Sequence, residues 1–238
     1  MTLSLAARWA VVDIEGTLTP TRQVHEVLYD YARPRLGPWI DEHPDDPEVV
    51  AAVHRIRELA QLPESAGTAE IVAVLHGWMD ADAKVAPLKT LQGLIWERGY
   101  ATGELTTELF PDVAPALRSW HDAGVQLAIF SSGSVTAQVA AFSHTTEGDL
   151  TPLFDRNFDT VNAGPKREPG SYRAIADALQ TRPADLVFLS DVPAELDAAA
   201  HDGWQTVGLA RPGEPFADAD FGTHRVVDSL ARVKVVPA

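Results

Sequence analysis

Trp9-Ala-Val-Val-Asp-Ile-Glu-Gly-Thr17 (WAVVDIEGT) is an apolar run that delivers two carboxylates into a glycine turn. The part from Trp9 to Ile14 is nearly continuous in apolar residues, the pattern of a strand covered on both faces. Three further runs read the same way: Val125 to Phe130 (VQLAIF), Leu186 to Leu189 (LVFL) and Thr206 to Leu209 (TVGL). Helix-like segments follow or separate them. Residues 113–123 come after Pro111-Asp112, and 135–142 after the N-cap candidate Ser134. Residues 171–180 come after Pro169-Gly170, and 194–202 stop at Gly203. This alternation predicts an α/β fold, a parallel sheet with helices on both sides.

Residues 22–108 break the pattern, because they hold no convincing strand. Val49, Val53 and Ile56 share one helical face, and Ile71, Val74, Leu75 and Trp78 a second. Leu88, Leu91, Leu94 and Ile95 form a third. Pro44-Asp-Asp-Pro47 and Pro63 to Gly67 are turn-like breaks between them. The expected organisation is an α/β core of residues 1–21 and 109–238, interrupted by an all-helical insert, 22–108, suited to cover the strand ends. The tail beyond Pro212 is too weakly patterned to assign.

Bulk properties narrow the function. The 238 residues are 45% hydrophobic, enough for a sizeable core. There are no cysteines, which excludes disulfides and thiolate metal sites. No apolar run approaches the roughly 18 residues of a membrane span. The first ten residues lack the apolar stretch of a secretory signal, so the expected location is cytoplasmic. A formal net charge of −15 argues against nucleic acid and anionic membranes as partners. It also repels phosphorylated small molecules, so a site for one needs local cations. The eight histidines show no zinc-ligand spacing and read as surface or packing residues.

Four pieces fall at or after the C-terminal ends of the predicted strands, where open α/β sheets bind ligands. In Asp13-Ile-Glu15, a carboxylate can attack phosphorus and its neighbour can carry the proton, with Gly16 turning the chain. Ser131-Ser132-Gly133-Ser134 offers hydroxyls and N–H groups at a helix start, an anion cradle or a plain N-cap. Lys166, in Ala163-Gly-Pro-Lys166-Arg167, is a compact cation able to offset phosphoryl charge, with Arg167 as its competitor. Asp191 is a hard oxygen ligand for Mg²⁺ or a helix cap, and Glu195 would face the same site or stabilise the helix dipole. Nucleophile, proton carrier, hydroxyl, cation and metal ligand, in this order, make a phosphoryl-transfer set.

This ordered set resembles the four motifs of the haloacid dehalogenase superfamily, through Asp13, Ser131, Lys166 and Asp191. The Asp-Ile-Glu-Gly-Thr form looks like the narrower enolase-phosphatase (acireductone synthase) family. So do Tyr31-Ala-Arg33, Pro87 to Trp96, Ser131 to Gln138, Asn162 to Glu168, Ser171-Tyr172, Phe188 to Asp191 and Glu195 to Ala199. The resemblance implies a Rossmann-like parallel sheet core with a helical cap after the first strand. It implies Mg²⁺ held by Asp13 and Asp191, with Glu15 joining through its carbonyl oxygen. It implies phosphate bound by Ser131 and Ser132 and neutralised by Lys166, with Glu195 in support. The family's substrate is 2,3-diketo-5-methylthiopentyl-1-phosphate, which is enolised and then dephosphorylated to an acireductone in methionine salvage. Its members are usually monomers. Leu18 and the segment Thr21-Arg22-Gln23-Val24 depart from the family pattern near the cap entrance.

In this reading Asp13 attacks phosphorus, and Glu15 protonates the leaving oxygen and then activates water. The base for enolisation is not identified. Lys89 and Gln92 fall off the apolar face of Leu88, Leu91 and Ile95 and are candidate substrate contacts or solvated helix residues. A competing enzyme reading keeps the Asp13 chemistry but assigns another small ester, such as a sugar phosphate or phosphoserine. A catalytically dead relative would have lost Asp13 or Asp191, and both are present.

Overall fold

The computed structural model describes every residue except Met1 and Lys84. The chain divides into two units, Met1–Thr21 with Thr106–Ala238, and Arg22–Leu105. The first unit opens with β1 (Leu3–Ala6) and β2 (Trp9–Val12). The inserted unit begins with a π-helical stretch, Gln23–Leu28, that runs into α1 (Tyr29–Ala32). It continues with α2 (Leu36–Glu42), α3 (Pro47–Leu59), α4 (Thr68–Asp80) and α5 (Ala86–Ala101). The first unit resumes with α6 (Val113–Asp122), β3 (Gln126–Phe130), α7 (Val135–Ser143) and β4 (Arg156–Phe158). It closes with α8 (Pro169–Ala178), β5 (Leu186–Ser190), α9 (Pro193–His201), β6 (Gln205–Leu209), β7 (Arg225–Val227) and β8 (Val233–Val236).

Six strands form one parallel sheet in the order β4-β3-β2-β5-β6-β7. This is a doubly wound order, and its topological switch point lies between β2 and β5, the strands whose ends carry Asp13 and Asp191. All four residues of β2 are buried because both faces are covered. Trp9 and Val11 pack with Phe130, Phe188, Tyr172 of α8 and Leu196 of α9. Ala10 and Val12 pack on the other side with Leu127, Ile129, Leu189 and the α6 residues Val113, Leu117 and Trp120. Each fully buried Val, Leu or Phe here contributes about 1.5–3 kcal/mol, which fixes the sheet beneath the site.

The four strands expected from apolar runs are the four central ones. The structure adds three-residue edge strands β4 and β7, and a separate two-stranded parallel pair, β1 with β8. β7 and β8 come from the tail beyond Pro212, which the sequence pattern left unassigned.

The inserted unit has its own core. Val49, Val53, Ile56, Ile71, Leu75, Leu88, Leu91 and Ile95 are buried together, with Val74, Trp78 and Leu94 packed at its margin. Asp46, in the Pro44–Pro47 break, caps α3 by accepting from Glu48 N–H and Val49 N–H at 2.8 and 3.2 Å. No helix of the described residues is long and apolar enough to cross a membrane.

Candidate active site

The site begins where β2 and β5 end side by side, Val12 opposite Leu189. Asp13 N–H extends the ladder by donating to Leu189 O at 2.9 Å. The chain then folds back sharply. The N–H groups of Thr17, Leu18 and Thr19 all donate to Ile14 O, at 3.2, 2.7 and 3.0 Å. Gly16 carries this turn with a φ of +69°. A Cβ on Gly16 would lie 2.1 Å from Asp191 Oδ2, so glycine serves both the left-handed backbone and the close approach of Asp191. Asp191 is tied to the same turn, its N–H donating to Thr17 Oγ1 at 3.0 Å.

Lys166 reaches the site from the turn before α8. Gly164 has φ +109°. Ser171 Oγ donates to Pro165 O at 2.7 Å, and Tyr172 Oη donates to Lys166 O at 2.8 Å, so the start of α8 braces the turn from behind. Lys166 Nζ donates to Asp13 Oδ1 at 2.5 Å and meets Glu195 Oε2 at 2.7 Å. Arg167, its competitor in the sequence, is exposed. Ser190 Oγ stands 3.3 Å from Asp13 Oδ2 and 3.1 Å from Glu195 Oε2, and accepts from Val192 N–H. Val192, not Asp191, is the N-cap of α9, and its side chain makes no cap bond; Asp191 lines the cavity instead of capping the helix.

Ser131 follows β3, its N–H donating to Phe158 O at 3.1 Å and its Oγ accepting from Gly133 N–H. Ser134 caps α7 through Ala137 N–H. Gln138 donates to both Gly133 O and Phe158 O, which locks the serine loop in place.

One cavity of about 140 Å³ brings together Asp13, Glu15, Ser131, Ser132, Lys166, Asp191 and Glu195. Thr21, Val192, Pro215 and Phe216 complete its lining. Lys89 and Gln92 belong to α5 of the inserted unit. Gln92 is buried rather than on the solvated side of its helix, and its Nε2 lacks a hydrogen-bond partner. Lys89 is half-buried.

Three buried carboxylates share one lysine, and their ionisation reflects it. Burial pushes Asp191 up to about 8, with Asp13 and Glu195 adding to the rise and Lys166 opposing it. Burial and then Asp13 raise Glu195 as well. For Lys166, burial favours the neutral amine, but Asp13 and Glu195 outweigh it and hold the ammonium above the ordinary lysine range. Negative charge is in excess, and Asp191 Oδ1 is buried with no hydrogen-bond partner. Among the described residues no three His, Asp or Glu side chains are grouped to hold a metal by themselves. A small divalent cation that takes one or two carboxylates and keeps its waters suits this donor set, with Asp13 and Asp191 as the candidate ligands.

Sequence reasoning missed the Ser190 hydroxyl as a link between Asp13 and Glu195, the Thr17 hydroxyl as the acceptor for Asp191 N–H, and Pro215 and Phe216 as cavity wall. The hydroxyls were legible as polar residues at strand ends. The wall residues carried no local signal.

The haloacid dehalogenase-like hydrolase family matches residues 7–201, from the strand bearing Asp13 through the helix bearing Glu195. Enolase-phosphatase E1 of Saccharopolyspora erythraea is 68% identical, over 99% of this chain and 98% of that protein. The chain belongs to the enolase-phosphatase family of haloacid dehalogenase-like hydrolases. Another enolase-phosphatase E1, from Frankia alni, is 56% identical over 97% of this chain and 96% of its own. The crystal structure of the UTR4 protein (unknown transcript 4 protein) of Saccharomyces cerevisiae matches with a TM-score of 0.77 at 27% identity. It covers 94% of this chain and 98% of that one. As a member of the enolase-phosphatase family, the chain is an enzyme, a phosphatase of the hydrolase class.

Proposed function

We propose that this enolase-phosphatase family member acts on 2,3-diketo-5-methylthiopentyl-1-phosphate in methionine salvage, yielding the acireductone and phosphate, as a Mg²⁺-dependent cytoplasmic monomer. The observation that carries the reading is the convergence of Asp13, Lys166 and Asp191, from three distant segments, on one cavity. Asp13 and Asp191 would hold the Mg²⁺, together with the main chain at Glu15. When bound, that ion supplies positive charge beside the phosphoryl oxygens.

A carboxylate oxygen of Asp13 bonds to phosphorus as the ester P–O bond breaks. Glu15 gives its proton to the departing oxygen. Glu15, now a carboxylate, takes a proton from water; the water oxygen bonds to phosphorus and the Asp13–phosphorus bond breaks, releasing phosphate. Lys166 keeps its ammonium against Asp13, and Ser131 and Ser132 donate to the phosphoryl oxygens. Enolisation needs a proton removed beside a carbonyl. Lys89 and Gln92 of the helical unit are further proposed substrate-binding residues.

The test follows purified enzyme with the diketone phosphate, with and without Mg²⁺, by ultraviolet absorbance for the enediol and by phosphate release. Both signals rising only with Mg²⁺ supports the reading. Phosphate release from sugar phosphates or phosphoserine, with none from the diketone ester, assigns the site to another small phosphate ester.

A further inference from the structure

Three apolar residues that no catalytic role uses also line the cavity, Val192, Pro215 and Phe216, and the last two come from the loop after β6. Two hydrogen bonds bolt that loop to the catalytic turn. Arg211 Nε donates to Thr17 O at 2.9 Å, and Thr21 N–H donates to Glu214 Oε2 at 2.9 Å. Arg211 is itself buried, paired with Asp112 at 3.0 Å and lying over the Phe110 ring at 4.1 Å. Inside the loop, Glu214 N–H donates to Arg211 O, Ala217 N–H to Glu214 O, and Ala219 N–H to Phe216 O. Such cross-bracing fixes Phe216 relative to Asp13, the kind of support a binding wall requires.

Chemistry then limits what this wall can meet. Phosphoryl oxygens are drawn to Lys166 and the serine loop. A half-buried aromatic ring beside them gains nothing from oxyanions, but it buries carbon well.

We infer that Phe216 is a specificity-determining residue: with Pro215 and Val192 it receives the uncharged carbon chain of the phosphate ester, so the enzyme selects esters with an apolar tail over short polar ones. The inference rests on the phosphatase reading only in placing the phosphate at the Lys166 end of the cavity.

The test measures binding of inorganic phosphate and of n-alkylphosphonates, methyl to pentyl, to the Mg²⁺-loaded enzyme by calorimetry. In the wild type, affinity rises with chain length, by up to about fourfold for each methylene buried. Phe216→Ala flattens this rise while leaving inorganic phosphate unchanged, and Phe216→Leu keeps most of it. An equal rise in wild type and Phe216→Ala, no rise in the wild type, or equal losses for phosphate and pentylphosphonate in Phe216→Ala would overturn the inference. Because no diketone is used, the two readings separate. A rising series in an enzyme that fails on the diketone phosphate sinks only the assigned substrate. A flat series in an enzyme that turns it over sinks only the wall.

Discussion

Lys166 Nζ lies 2.5 Å from Asp13 Oδ1, so the cation of the site sits directly on the group assigned as nucleophile. Glu195 holds the other side of the same ammonium at 2.7 Å. Replacing Lys166 by Met removes the only positive side chain lining the cavity among the described residues. Loss of one preorganised charge at a phosphoryl centre is expected to lower kcat on the order of 10²- to 10³-fold. Lys166→Arg should not restore it, because a planar fork does not fill the place of a compact ammonium. Asp13→Asn should abolish turnover while circular dichroism stays native. Phosphate release by either Asp13→Asn or Lys166→Met at wild-type rate would refute these roles.

Asp191 predicts opposite effects on stability and on activity. In metal-free enzyme its carboxyl is crowded by Asp13 and Glu195 and has an unpartnered buried oxygen. Asp191→Asn removes charge at nearly constant volume. Its Tm in chelator should rise above that of the wild type, while Mg²⁺-dependent phosphate release falls by 10²-fold or more. Thermal melts in EDTA, with parallel assays, check both halves.

Gly16→Ala tests the close packing of the turn. The left-handed backbone costs alanine about 1–3 kcal/mol, and the new methyl would collide with Asp191 Oδ2. Asp191 must move to make room. The Mg²⁺ concentration for half-maximal activity should therefore rise about 10- to 100-fold, a typical response to a misplaced ligand. Titrating activity against Mg²⁺ reads this directly, and an unchanged midpoint would contradict it.

Asp112 makes a prediction about acid stability away from the reacting groups. Its half-buried carboxyl is pushed up by burial. Arg211, Ser229 and Leu230 N–H more than offset this and hold it below the ordinary Asp value. Because the folded value is the lower one, the stabilisation is complete above about pH 4 and is lost as pH falls through the folded value. Asp112→Asn should flatten that acid limb in a plot of Tm against pH. Asp112→Ala, which leaves Arg211 buried without its partner, should cost about 3 kcal/mol or more at neutral pH. An Asp112→Asn melt profile parallel to the wild type down to pH 2 would refute the assignment.

The central strands were legible because burial on both faces forces an unbroken apolar run, as in β2 and β5. β1, β4, β7 and β8 were not. They are three or four residues long with mixed exposure, and β1 finds its partner only at the far end of the chain. Asp13, Ser131, Lys166 and Asp191 could be read because each follows a buried strand or a Gly-Pro turn. The choice between Lys166 and Arg167 could not, since neighbouring positions differ only in which way the turn aims them. Gln92 shows a related limit. The helical period put it off the apolar face, yet α5 is covered more broadly, with Pro87, Gln92, Gly99 and Tyr100 buried alongside its leucines. Phe216 was invisible because its loop is tied to the catalytic turn by Arg211 and Glu214 reaching back to Thr17 and Thr21, contacts distant in sequence.

The position of β2 between β3 and β5 also sets a schedule for biosynthesis. The strand that bears Asp13 leaves the ribosome well before one of its flanking neighbours, residues 186–190. At 5–20 residues per second that delay is roughly 10–35 seconds. Throughout it, the WAVV segment has apolar faces and an open edge with nothing native to pair on that side. The interval exposes the nascent chain to aggregation, and a chaperone that shields short apolar segments would be of most use then.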